Sequence, residues 1–156
     1  MLRKLVLCMA LLSLGGCGQK PTISIQVFPA VLAEDAKAPA SAGWERAEFA
    51  GSTHGAAGVY FVKMDTLLSE WSIVASRSIS QPEGGFGAAV RLNAYAMRKM
   101  EQFSTDPANL RKPLALRING RWADFFPLLD RISDRMTLYG FTEEEVKTLD
   151  EYLAHR

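Results

Sequence analysis

The chain is poor in the side chains that build most reactive sites. Of its 156 residues, two are cysteines (Cys8 and Cys17) and two are histidines (His54 and His155). No cysteine follows residue 17, which excludes a disulfide framework or a catalytic or metal-bound thiolate there. The histidines show no His-x-x-x-His spacing and no second ligand cluster of the kind zinc requires. One lies in a glycine-rich stretch and the other near the C-terminus, so both read as solvated. No serine occupies a Gly-x-Ser-x-Gly elbow. Gly84-Gly85-Phe86-Gly87 lacks the lysine and the flanking context of a phosphate loop, and reads as a hairpin turn. Asp124, Asp130 and Asp134 are spaced too loosely for paired carboxylates and read as a solvated face. No catalytic residue, metal or cofactor is therefore expected. An excess of one charge is missing too, with 18 Lys and Arg against 17 Asp and Glu. That balance gives no electrostatic case for nucleic acid. No apolar run approaches the roughly 20 residues of a membrane-spanning helix.

What the chain does have begins at its N-terminus. Arg3 and Lys4 precede the short apolar run Leu5 to Leu14, and Leu14-Gly15-Gly16-Cys17 closes the segment. A basic start, an apolar middle and small residues before a cut make a secretory signal peptide. The closing tetrapeptide resembles the lipobox of bacterial lipoproteins. That resemblance implies cleavage before Cys17 and acylation of its thiol and new amino group, and several acyl chains make a stable anchor. The expected partner there is the lipid bilayer, reached through acylated Cys17. Gly18 stands where an aspartate would retain a Gram-negative lipoprotein in the inner membrane. The expected location is thus the bacterial cell envelope, facing the periplasm from the outer membrane where the organism has one. Without Arg3 and Lys4 the chain carries 16 basic against 17 acidic residues, and its roughly 140 residues suit a single core.

Residues 17–22 read as the lipidated tether after a signal peptide at 1–16. Residues 23–58 read as one strand followed by flexible loops. Ile23, Ile25 and Val27 alternate as in a strand, while 34–43 and 51–58 are rich in Ala, Gly, Pro and polar residues. Residues 59–154 read as an α+β domain. Val59 to Val62 is a compact strand, and Met64 to Ser80 fits either a helix or a strand. Residues 81–85 signal a turn, and Phe86 to Leu92 a strand. Asn93 predicts the cap of a helix whose Ala96, Met100 and Phe103 share one face. Pro113 to Ile118, the Asn119-Gly120 turn and Arg121 to Phe125 predict a hairpin. Arg135 to Leu138 is a further strand. Thr142 with Glu145 forms a capping box for a last helix whose buried stripe is Val146, Leu149 and Leu153. The simplest architecture is a ferredoxin-like sandwich, an antiparallel sheet with two helices on one face.

Several of these pieces, in this order, resemble the head subdomain of the first periplasmic domain of SecD, part of the SecDF export complex. They are Val90-Arg91-Leu92 with the helix ending Phe103-Ser104-Thr105, the run Lys112 to Gly120, Pro127-Leu128-Leu129, and Leu138 to Thr142 with Glu143 to Val146. The match runs from about Val59 to Leu149. Each piece alone is common, and the set is the specific feature. Asn119 stands where the family has aspartate, and both suit a left-handed turn. Pro127 lies slightly further from Gly120 than in the family. The family's transmembrane helices have no counterpart here, so its proton-coupled mechanism does not carry over. The resemblance implies the fold and a habit of touching polypeptide, with Sec translocase components or secreted polypeptides as expected partners.

One aromatic cluster is a candidate partner-binding surface: Trp122, Phe125 and Phe126, flanked by Arg121 and Arg131. Strand alternation would point Trp122 and Phe126 to one face and Phe125 to the other. The rings either pack the core or leave at least one exposed, and aromatic residues with arginine are enriched at binding hot spots. The expected function is a non-enzymatic envelope lipoprotein that binds protein segments and assists export. The alternative is a structural or assembly accessory of another envelope complex.

Overall fold

A computed structural model describes residues 20–35 and 42–156. Its strands are β1 (Ile25–Leu32), β2 (Trp44–Phe49), β3 (Gly58–Lys63), the two-residue β4 (Leu68–Ser69), β5 (Ile73–Ser80), β6 (Phe86–Leu92), β7 (Pro113–Ile118), β8 (Arg121–Pro127) and β9 (Arg135–Phe141). Its helices are α1 (Ala94–Thr105) and α2 (Glu143–Ala154), and a 3-10 turn, Glu70–Ser72, precedes β5. The class is α+β, as expected, with every strand pair antiparallel. The single ferredoxin-like sheet is not formed. The strands divide instead into a larger sheet ordered β2-β3-β1-β7-β8, with β4 also on β1, and a three-stranded sheet ordered β5-β6-β9. Both helices pack on this smaller sheet.

The expected division at residues 58 and 59 runs through the larger sheet. β1 lies at its centre, paired with β7 along one edge and with β4 and then β3 along the other. Val27 and Phe28 are adjacent and both buried, as are Leu114, Ala115 and Leu116 of β7. Strands covered on both faces need apolar side chains at consecutive positions, not only at alternate ones. Ile25, Val27, Leu114, Leu116 and Ile118 face the main core, which they share with Ala88, Val90 and Leu138 of the smaller sheet and with Met100 and Leu149 of the helices. A second core forms on the opposite face from Phe28, Ala30, Ala47, Tyr60, Val62, Ala115 and Phe125. The larger sheet curls around this second core. Its two ends approach until the Phe49 ring of β2 lies 5.1 Å from the Phe125 ring of β8.

Local sequence explains the helices. The Asn93 side chain accepts the Ala96 amide at 2.9 Å, and Ala96 and Met100 are buried. Thr142 accepts the Glu145 amide while Glu145 accepts that of Thr142, closing the capping box. Met64 to Ser80 resolves as β4, the 3-10 turn and β5 rather than as a helix. β2 was not expected. Only Ala47 among its residues is buried, and Glu45, Arg46 and Glu48 break the apolar alternation. Among the described residues no helix is long and apolar enough to cross a membrane.

Candidate partner-binding surface

The aromatic candidates do not share a surface. Phe125 is sealed in the second core, its ring 4.2 Å from Tyr60 and 5.6 Å from Trp122. Trp122 is half-buried at the rim of that core, beside Phe28 at 6.0 Å. The Arg117 guanidinium lies over both rings, 5.1 Å from Phe28 and 5.2 Å from Trp122. Two bonds to Gln26 Oε1, at 3.0 and 2.7 Å, hold it there. Phe126 packs against the main core on the other side. Trp122 therefore keeps company with Phe125, not Phe126. The cause is a β-bulge. Leu116 pairs with Asp124 and Arg117 with Trp122, so Ala123 is an extra residue that resets the alternation. Arg121 is occupied as well: it donates to Gly140 O at 2.9 Å and to Glu145 Oε2 at 2.6 Å, tying the β7–β8 hairpin to the start of α2. Arg131 is exposed in the segment between β8 and β9. Cys17 lies outside the described residues.

The bulge also places Asp124, which is fully buried and not part of a solvated face. Its Oδ1 accepts the Ser52 hydroxyl at 2.6 Å and the Phe125 amide at 2.9 Å, while Oδ2 has no partner. Ser52 Oγ in turn accepts the amides of His54 and Gly55 at 3.1 and 2.8 Å. The loop between β2 and β3 is thus fastened to β8. Gly55 is required there, because a Cβ at that position would stand 1.9 Å from Phe125 O. His54 is half-buried rather than solvated, and its ring stacks on Tyr139 of β9 at 3.8 Å. It therefore reaches Ser52 through its backbone amide, not its imidazole, so Ser52, His54 and Asp124 form a structural clasp and not a nucleophile–base pair. Burial, and secondarily the Asp124 charge, raise the Tyr60 hydroxyl above its ordinary pKa of 10.0. Among the described residues no group of three His, Cys, Asp or Glu side chains converges as a metal site.

Three of the four exposed large apolar residues, Trp71, Val74 and Tyr95, lie on or beside the smaller sheet, and the fourth, Leu129, follows β8. β5 is eight residues long and, among the described residues, pairs with β6 alone. It carries one charged side chain, Arg77, and no proline. Most natural edges are blunted against pairing by lysine, proline or strong bulges. Its protection lies at its start, where Val74 is bulged out and exposed and Arg156 Nη1 donates to Ile73 O at 3.1 Å. Trp71 stands just before the strand and is 59% exposed, with the Arg156 guanidinium 4.8 Å from its ring. Tyr95, in the first turn of α1, is exposed as well. Its neighbour Asn93 donates a side-chain bond to Trp71 O. An unpaired strand edge beside exposed aromatics is a surface that an extended peptide can join through main-chain hydrogen bonds.

No protein-family model matches the chain, and no curated protein matches it. Among solved structures, one described as a membrane component, SecDF, that enhances protein export superposes on 86% of this chain with a TM-score of 0.53 at 12% identity. The fold is SecD-like. This chain spans 63% of the length of that structure. A second SecDF structure, in a Super-membrane-facing form, overlaps 56% of this chain and 12% of its own at a TM-score of 0.46 and 19% identity, too slight an overlap to carry an argument.

Proposed function

We propose that this chain is a non-enzymatic, lipid-anchored protein of the bacterial envelope whose SecD-head-like domain binds extended polypeptide and assists protein export. Acylated Cys17 holds it to the bilayer, on the periplasmic face of the outer membrane where there is one. Secreted polypeptides and Sec translocase components are its partners. The observation that carries the reading is the unpaired β5 edge beside exposed Val74 and Trp71. Strand addition at such an edge takes its affinity from the main chain and tolerates many side chains, which suits binding to unfolded chains of varied sequence. The likeness to SecDF in fold supports export as the context, although a fold by itself does not fix a function.

The test is photo-crosslinking in the native envelope from a probe at Ser78 on β5, with a second probe at Glu48 on β2 as control. Secretory precursors, SecD, SecF or translocon subunits captured from Ser78 and not from Glu48 support the reading. Consistent capture of one unrelated envelope complex overturns the export role and makes the protein an assembly accessory of that complex. Palmitate labelling that disappears in Cys17→Ser checks the anchor separately.

A further inference from the structure

The smaller sheet has α1 and α2 on one face only. On its other face the strand register lays three cross-strand rows: Ile79–Gly87–Tyr139, Arg77–Ala89–Thr137 and Ala75–Arg91–Arg135. The clasped loop covers the first row, where His54 stacks on Tyr139. Among the described residues, no segment covers the other two rows. Arg77, Arg91 and Arg135 are all exposed, and they border an open trough of about 430 Å³ with Ala75 and Ala89 between them. Arg91 and Arg135 are direct cross-strand neighbours, an arrangement of like charges that destabilises a sheet. Among the described residues only Asp134, 3.6 Å from Arg135 Nε, forms an ion pair with any of the three. Three guanidiniums are thus gathered, at a cost in stability, on a chain that is otherwise close to neutral.

We propose that this face docks an acidic polypeptide segment of a partner protein, whose carboxylates pair with Arg77, Arg91 and Arg135. The spacing fits such a ligand. Rows two residues apart along a strand are about 7 Å apart, and neighbouring strands about 4.8 Å. Carboxylates at alternate positions of an extended segment, or one turn apart on a helix, reach two guanidiniums at once, and each can be held by a bidentate pair. An anionic membrane fits less well. Basic patches that bind lipid headgroups gather about four to eight Lys and Arg, and interfacial binding adds buried apolar side chains. This trough has three arginines, and none of the exposed large apolar residues lines it. Arg77 lies on β5 and borders both surfaces, but capture at the β5 edge needs main-chain contacts and no fixed charge, so loss of the arginines distinguishes the two.

The test is fluorescence anisotropy on the full-length protein with a fluorescein-labelled peptide of alternating Glu and Ser. A Lys–Ser peptide and vesicles of phosphatidylglycerol serve as the other arms. The acidic peptide is expected to bind, to weaken as salt is added, and to lose about tenfold or more in affinity in the variant Arg77→Ser/Arg91→Ser/Arg135→Ser. That variant is expected to melt no lower than the parent at low ionic strength, because like-charge repulsion is relieved. If it fails to fold, Arg91→Ser alone and the salt titration of the parent decide the matter. Equal binding by the variant, no binding of the acidic peptide, equal binding of the Lys–Ser peptide, or arginine-dependent binding to vesicles alone would each overturn the proposal. Crosslinking from Ser78 that persists in the variant keeps the outcome distinct from the fate of the edge-binding reading.

Discussion

The larger sheet curls until its ends meet around a core of aromatic rings, whereas among the described residues the smaller sheet leaves its β5 edge and two rows of one face uncovered. In the first region Phe125 lies within 5.6 Å of Phe49, Tyr60 and Trp122, and Asp124 is spent on fastening a loop. In the second, among the described residues, the β5 edge joins no further strand beyond its Arg156-capped start, and three arginines stand exposed with one ion-pair partner between them. The contrast separates residues that hold the molecule together from residues whose placement stability does not explain. Substitutions in the first region should cost stability whatever the partner, and substitutions in the second should cost binding and little else.

The largest effect is expected from Phe125→Ala. The variant leaves a void among three rings in an interior with little room to collapse, and the expected loss is about 3–5 kcal/mol in urea unfolding. A loss near zero would show that the second core is not packed and would return Phe125 to the list of surface candidates. Next comes the clasp. Asp124→Ala leaves the Ser52 hydroxyl and the Phe125 amide without their acceptor, at a cost of about 1–3 kcal/mol. Ser52→Ala removes the other half. If the clasp acts as one unit, the double variant should cost less than the two single variants added together, by at least about 0.5 kcal/mol. Strict additivity would sink the clasp.

How far the sequence reveals the molecule follows the same contrast between local and distant determinants. The helices and the β7–β8 hairpin are legible because Asn93 and Thr142 with Glu145 cap their helices through hydrogen bonds to near neighbours, and Asn119-Gly120 takes up the left-handed conformations that a tight turn needs. The resemblance to SecD is legible from the sequence as well, and the likeness to SecDF agrees with it at the level of the fold. The bulge at Ala123 is not legible, since it exists only against β7, and it overturns the alternation on which the pairing of Trp122 with Phe126 rested. The burial of Asp124 is hidden because its partner Ser52 is 72 residues away. The arginine rows combine three strands, of which β9 follows β6 only after α1, β7 and β8. The exposure of Trp71 is hidden as well, because its spacing with Leu67, Leu68 and Val74 suits a helical face just as well.

A smaller effect should follow alkaline pH. The Tyr60 hydroxyl titrates above its ordinary 10.0 in the folded chain, because burial and then the Asp124 charge disfavour the phenolate. Its folded pKa exceeds its unfolded one, so its contribution is complete below about pH 10. It is lost as pH rises from there through the folded value. Tyr60→Phe gives up the bond to Ala56 O, worth about 0.5–1.5 kcal/mol, and should flatten that alkaline decline. An unchanged decline in the variant would assign it to other groups.

The smallest effect on stability, and the sharpest test of the contrast, is expected from Ser78→Lys. Ser78 is exposed on the open edge of β5, so a lysine there displaces no packed side chain and should change stability by less than about 0.5 kcal/mol. Lysine is also the residue with which natural edge strands deter pairing, so capture of extended polypeptide should fall sharply. Trp71→Ala should weaken capture less, because it trims an aromatic beside the edge and leaves the main-chain ladder intact. If Ser78→Lys unfolded the domain, β5 would belong with the closed region and its edge would be covered. If it left both stability and capture untouched, the polypeptide would have to bind elsewhere, and the open edge would have no part in what the protein does.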